Sequence, residues 1–399
     1  MSDIAVKMIG RIGIAVKRDR ERFWDAHDYF IRQGPRQGLR EALIFFRTRG
    51  CRHDAKGGCT MCDYSAGPET SADAMVDSVR RALLELPAGV DAVLVSPSGS
   101  LLDTWEVPVA AREGILQLLS DAGIPRVAFE TRAETLDAAS TARCRELLGD
   151  KPVRVYVGLE SADPWVSRYA INKALDASAF RLAMQALNGQ SMTGVANILL
   201  GAPFLDPREA IEDTVATARW ALDNGAREVC LFPCHVKRWT QVHVLHGHGL
   251  YNPPSLWSMV EVLDRLGEGF ADRIELAWLT ALGAFNVVAS PSVCPRCLDC
   301  VLGGLEGFSS SGRWGDLDGL WDINCDCRQE WRQLLGSPVD PTARVRRAVQ
   351  AYRAIGETTM NLWWSKNGTQ VLATLAGREE GTHPNVDPVV QATLEGRVE

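Results

Sequence analysis

Residues 42–65, ALIFFRTRGCRHDAKGGCTMCDYS, join a near-continuous apolar run to a loop of glycine, charge and three cysteines. The run reads as a strand buried on both faces, which carries apolar side chains without alternation. The loop places Cys51, Cys59 and Cys62 within twelve positions. Three thiolates suit two kinds of site: a tetrahedral metal completed by a neighbour, for which His53 is at hand, or a cubane iron-sulfur cluster with one iron left open. Position favours the cubane, because loops at the ends of parallel strands build chemistry rather than scaffolding.

Five more runs of the same kind follow: DAVLVSPSG, RVAFETR, VRVYVGLES, TGVANILLGAP and EVCLFPCHV. Amphipathic helical stretches separate them near residues 71–86, 108–122, 135–148, 176–188 and 207–223. Regular β/α alternation predicts a parallel sheet. The fold class expected is α/β, a partial (βα)6-type TIM barrel with a cysteine-rich C-terminal extension. Potentially reactive residues cluster at the strand ends: Cys51 onward, Ser98 to Ser100, Glu130 with Arg132, and Glu160 with Ser161. In a βα barrel that is the rim where the active site is built.

The domain reading is an N-terminal extension over 1–41, a barrel over 42–290, a Cys/Trp-rich module over 291–331, and a C-terminal helix with a peripheral tail over 332–399. VHVLHGHGLYNPP reads as a loop holding His243, His246 and His248, a surface loop or substrate lid before a metal site. RIELAWLT is a candidate further strand, and a helix is expected near 341–356.

The chain has 399 residues, 46% hydrophobic and 23% charged, enough for a large buried core. Its longest apolar runs fall short of the roughly 18 residues of a membrane span, and no secretory leader is visible. A cytoplasmic protein with no membrane partner is expected. Eight of the eleven cysteines fall in two tight groups, which favours metal or cluster ligation over disulfides. The net charge of −7 argues against broad nucleic-acid binding by this chain alone.

The loop with its C-x7-C-x2-C spacing, and Met61 just before the last cysteine, resembles the radical S-adenosylmethionine (SAM) superfamily, with the longer gap found in its elongator-type branch. Further on, SPSGSLLDTWEVP, FETRAE, VGLESADPWVSRYAINKAL, ILLGAPFLDPREAIED, YNPPSLWSMVEVL and CDCRQEW, in that order, resemble the radical SAM subunits of archaeosine synthases. The resemblance implies that Cys51, Cys59 and Cys62 hold a [4Fe-4S] cluster whose open iron binds the amino and carboxylate groups of SAM. It implies reductive cleavage to methionine and a 5′-deoxyadenosyl radical that abstracts hydrogen from a substrate, cleaving or forming a C–N or C–C bond. In the archaeosine system the substrate is a lysine-modified 7-deazaguanine base in tRNA. A one-electron donor such as flavodoxin or ferredoxin is implied too. The alternatives are the same chemistry on a small-molecule intermediate, and a non-catalytic iron-sulfur redox sensor.

Candidate SAM contacts follow from the same comparison. Gly99 sits where the family's glycine-rich stretch lets the backbone approach the ligand, with Ser98 and Ser100 as candidate amino-group partners. Arg132 can grip a carboxylate with two N–H groups, and Glu130 can accept from ribose hydroxyls or the amino group; a salt bridge between rim residues is the plain alternative. Glu160 and Ser161 offer similar contacts. Asn197 points into the barrel or into its outer layer. Asn172 and Lys173 sit at a loop-to-helix transition, where the lysine either meets an anionic substrate group or is simply solvated.

CPRCLDC with CDC further on gives five thiols, Cys294, Cys297, Cys300, Cys325 and Cys327. C-P-x-C paired with C-x-C completes a four-thiolate zinc site and leaves Cys300 spare. C-x2-C-x2-C equally suits an auxiliary [4Fe-4S] cluster. Trp314, Trp321 and Trp331 interleave with this group, as in a small core around a metal staple.

Overall fold

The computed structural model describes residues 3–376 except 19, 21–24, 26, 65, 66, 68, 174, 281–285, 337–339 and 341. Helix α1 (Ile4–Val16) is followed by a hairpin of β1 (Tyr29–Arg36) and β2 (Leu39–Phe46). The chain then alternates through α2 (Ala72–Leu84), β3 (Ala92–Ser96), α3 (Val109–Asp121), β4 (Arg126–Thr131), α4 (Ala138–Leu148), β5 (Val153–Glu160), α5 (Ala177–Gly189), β6 (Thr193–Leu200), α6 (Pro207–Asp223) and β7 (Glu228–Pro233). After β8 (Val236–Lys237), α7 (Gln241–Gly247), α8 (Leu256–Leu266), β9 (Ile274–Leu276) and β10 (Val287–Ala289), the rest is helical. It comprises α9 (Pro295–Ser311), α10 (Asp318–Trp321), α11 (Asp326–Leu335), α12 (Ala343–Thr359) and α13 (Asn361–Ala376).

One eight-stranded sheet runs in the order β1-β2-β3-β4-β5-β6-β7-β9. Strands β2 to β7 are mutually parallel and form the (βα)6 core, curled as an open half-barrel; β9 extends the parallel side and β1 is an antiparallel edge. Ile44 and Phe46 pack outward beneath the helices, while Leu43 and Phe45 face inward with Leu94, Tyr156, Val195 and Cys230. Both faces are buried, which is why the strands read as unbroken apolar runs. Ser71, Asp137 and Asp206 cap α2, α4 and α6 by accepting from first-turn N–H groups, which fixes where each connection ends.

The described residues of the N-terminal extension, 1–41, form α1, the edge strand β1 and the first residues of β2. Two stretches differ from the sequence reading. The histidine segment is not a loop: Thr240 caps α7, whose Val242 and Leu245 are buried. A second helix, α13, follows α12, and both pack with α1 in a second core that also holds Met61, Tyr169 and Leu245. The tail at 377–399 lies outside the described residues.

The hairpin closes the lower end of the half-barrel. The Gln37 and Gly38 backbone N–H groups donate to the Ser309 and Ser310 carbonyls at 3.0 and 2.7 Å. Inside, Arg36 pairs with Glu41 at 2.9 Å and with Glu275, and Arg154 pairs with Glu275 at 2.6 Å and with Glu228. Of these pairs, Arg36 with Glu275 joins the two edge strands, β1 and β9, across the opening.

Candidate active site

At the opposite end, the strand termini and their loops enclose a cavity of about 400 Å³. Cys51, Cys59, Cys62, Met61, Gly99, Glu130, Arg132, Glu160 and Asn197 all line it. Asn197 therefore faces the barrel interior. Ser98, Ser100 and Ser161 do not line it. The Ser100 hydroxyl lies 2.5 Å from Thr131 Oγ1, and that of Ser161 donates to Asp213 at 2.6 Å; both are occupied inside the protein.

The cysteine loop is held from two sides. The chain after β5 forms a π-helical turn at Val166–Ile171 that ends on Asn172 in a left-handed conformation, φ 62°. Asn172 Nδ2 donates to the Gly58 carbonyl at 2.8 Å, and its own carbonyl lies 2.7 Å from His53 Nε2. Thr60 N–H donates to the Ile171 carbonyl at 2.9 Å. Asn172 thus anchors the loop. From the other side α1 crosses so closely that a Cβ on Gly13 would sit 2.0 Å from the Gly57 carbonyl oxygen. Lys17, just past α1, pairs with Asp54.

A buried carboxylate ties this loop to the next strand end. Glu106, fully buried, accepts from the backbone N–H of Arg52 at 2.8 Å, from that of Ser100 at 2.6 Å, and from Arg132 Nη1. Arg132 also pairs with Asp103 and with Glu134 at 2.7 Å, and its Nη1 lies 3.4 Å from Cys51 Sγ. A guanidinium so engaged braces Cys51. Burial and the Glu106 carboxylate push the Cys51 thiol up to about 11, with Arg132 opposing. Metal binding there must displace a proton.

Across the cavity, Glu160 takes φ 68°, a conformation rare outside glycine, and Lys173 Nζ lies 2.9 Å from its Oε1. Its other oxygen, Oε2, is buried without a hydrogen-bond partner. Burial works against the charge of Lys173, but the Glu160 carboxylate and the Cys59 thiol outweigh it and raise its pKa. Glu130 accepts from the Ser96 hydroxyl, and burial lifts its pKa nonetheless. A strained backbone and an unpaired carboxylate oxygen facing a cavity are features of a binding site.

The sequence reading missed Tyr64, Cys230, Cys234, His235 and Lys237, which also line the cavity. The last three follow β7, so the strand-end rule reaches them. His243, His246 and His248 do not line it, and His246 Nδ1 lies 2.9 Å from the Tyr251 carbonyl. Among the described residues, the only group of three or more metal-ligating side chains drawn to within 4.8 Å of one another is Cys294, Cys297, Cys325 and Cys327. Cys51, Cys59 and Cys62 therefore do not converge with His53 on a tetrahedral centre. Three thiols of one loop opening into a cavity are the ligand count of a cluster with one iron left open.

No family model matches the chain. The half-barrel and the cysteine loop on its rim accompany a similarity in sequence to two archaeal proteins. Archaeosine synthase subunit beta of Methanosarcina acetivorans is 29% identical over 302 residues, 73% of this chain and 84% of its own length. The protein of the same name in Thermococcus kodakarensis is 27% identical over 304 residues, 73% of this chain and 91% of its own. The solved structure of methylornithine synthase aligns with a TM-score of 0.44 at 14% identity, over 69% of this chain and 71% of that one. Among the described residues, no helix is long and apolar enough to cross a membrane.

Proposed function

We propose that the chain binds a [4Fe-4S] cluster through Cys51, Cys59 and Cys62 and SAM beside it, and uses them to abstract hydrogen from a substrate held in the cavity. Held by these residues, a reduced cluster would give one electron to SAM and so supply the radical that abstracts hydrogen. The observation carrying this reading is that three thiols from one rim loop open into the same cavity as Glu130, Glu160 and Asn197. Glu160, with its unpaired Oε2, and Glu130 would accept from the ribose hydroxyls or the amino group of SAM, and Lys173 would take a carboxylate. Asn197 would orient what sits between them. Arg132 and Glu106 keep Cys51 in place, and the apolar inner wall of Leu43, Phe45, Leu94 and Phe232 excludes water from a radical that takes any hydrogen it meets.

By its relatives, the substrate we favour is a lysine-modified 7-deazaguanine base in tRNA, with cleavage of a C–N bond. The net charge of −7 makes a partner subunit the means of bringing RNA to the cavity. A flavodoxin or ferredoxin would donate the electron, in the cytoplasm. Transfer RNA carrying the modified base, incubated with chain, partner, SAM and reductant, is expected to lose its lysine moiety. Cleavage of SAM with unchanged tRNA would move the substrate to a small molecule. An intact reducible cluster that never cleaves SAM, with or without tRNA, would leave only the sensor.

A further inference from the structure

The second cysteine group lies outside the cavity and plays no part in the reading above. Cys294 and Cys297 open α9, and Cys325 and Cys327 open α11. Their sulfurs meet: Cys294 Sγ lies 3.7 Å from Cys325 Sγ and Cys297 Sγ 3.9 Å from Cys327 Sγ, with all four within 4.8 Å of one another. Around one tetrahedral ion with metal–sulfur bonds of about 2.3 Å, sulfurs stand about 3.8 Å apart. A cubane binds each thiolate on a different iron and spreads them much further. Cys300, the third cysteine of a cluster-type run, is exposed and outside the group.

The surroundings fit a bound metal. Trp257 Nε1–H, from α8, donates to Cys327 Sγ at 3.4 Å, as groups beyond the ligands of thiolate sites do. Arg328 lies over the Trp257 ring at 4.8 Å and donates to the carbonyls of Leu320, Trp321 and Ile323 at 3.0, 2.8 and 2.9 Å. Trp331 Nε1–H donates to Ser258 Oγ at 3.2 Å, and Trp314 stacks on Trp321 at 6.2 Å, so the tryptophans pack this module rather than offer a stacking surface.

We infer that Cys294, Cys297, Cys325 and Cys327 bind one zinc ion as a four-thiolate structural site, with Cys300 outside it. Zinc suits four preset sulfurs because it imposes no geometry of its own and undergoes no redox chemistry. The site's work is mechanical. It pins the start of α9, whose far end receives the β1–β2 turn at Ser309 and Ser310 and whose Ser309 hydroxyl donates to the β9 carbonyl of Leu276 at 2.8 Å. Through α9 the ion fastens the open edge of the half-barrel.

The test is elemental analysis and zinc X-ray absorption on the full chain and on its Cys59→Ala variant, each purified without added metal. About one zinc per chain in both, surrounded by four sulfurs at about 2.3 Å, is expected. Cys300→Ala should retain that zinc and Cys294→Ser with Cys325→Ser should lose it. Iron and sulfide that remain in the Cys59→Ala variant, a single iron in place of zinc, zinc with nitrogen or oxygen neighbours, or no metal would each overturn the inference. Because the Cys59→Ala chain lacks the other centre, failure here and failure of the radical reading are read separately.

Discussion

At the scale of single residues, Glu106 is the least conspicuous part of the site and among the most consequential. Its carboxylate serves two backbone donors and one guanidinium in a fully buried place, so Glu106→Ala leaves two N–H groups unpaired and takes one of three carboxylates from Arg132. A stability loss of about 3–5 kcal/mol is expected by urea denaturation, with Glu106→Gln losing less because one acceptor oxygen survives. A loss under 1 kcal/mol for the alanine variant would show that the array is not as drawn. Glu106 was not legible in sequence. It lies ten residues beyond the end of β3, inside SPSGSLLDTWEVP, and only the fold returns it to the cysteine loop. Lys237 and His235 were legible by the strand-end rule that found Glu130 and Glu160.

At the scale of elements, the cysteine loop depends on two supports remote in sequence. The α1 crossing admits only glycine: Gly13→Ala places a methyl group against the Gly57 backbone, while Gly57 itself takes φ 110°. We expect a cost of about 1–3 kcal/mol and fewer irons per chain after reconstitution, measured by denaturation and iron assay. Asn172→Ala loses the hydrogen bond to Gly58 and the residue's tolerance of left-handed backbone, about 1–2 kcal/mol, with the same fall in iron. Unchanged iron in both would show that the loop holds itself. The β/α alternation was readable because strands buried on two faces and capped helices leave strong local patterns. Strand β1 was not, since YFIRQGPR mixes charge with a proline that only an edge strand tolerates. Helix α7 was hidden by its histidines and glycines, and its burial against the rest of the chain overrides that composition.

At the scale of the whole molecule, buried ionisable groups join the layers and make stability depend on pH. Asp213 on α6 sits under Ser161, where burial and the nearby Asp163 carboxylate push its pKa up to about 8. A carboxyl whose folded pKa is raised holds its proton in the folded state. Its contribution is fully present below about pH 4 and is lost as pH rises through 8. Asp213→Asn should therefore stabilise the chain near pH 8 by on the order of a few kcal/mol and change little at pH 4, measured as urea midpoints across that range. Parallel curves for both proteins would place the proton elsewhere.

One rim loop, braced by Asn172, Glu106 and α1, is what we propose makes the half-barrel a radical enzyme. The most direct measurement is anaerobic reconstitution with iron and sulfide, reduction with dithionite in the presence of SAM, and chromatography for 5′-deoxyadenosine. 5′-Deoxyadenosine is expected from the native chain and none from the Cys59→Ala variant. Equal product from both, or no product from a native chain with a reducible cluster even when the modified tRNA and partner are supplied, would contradict it.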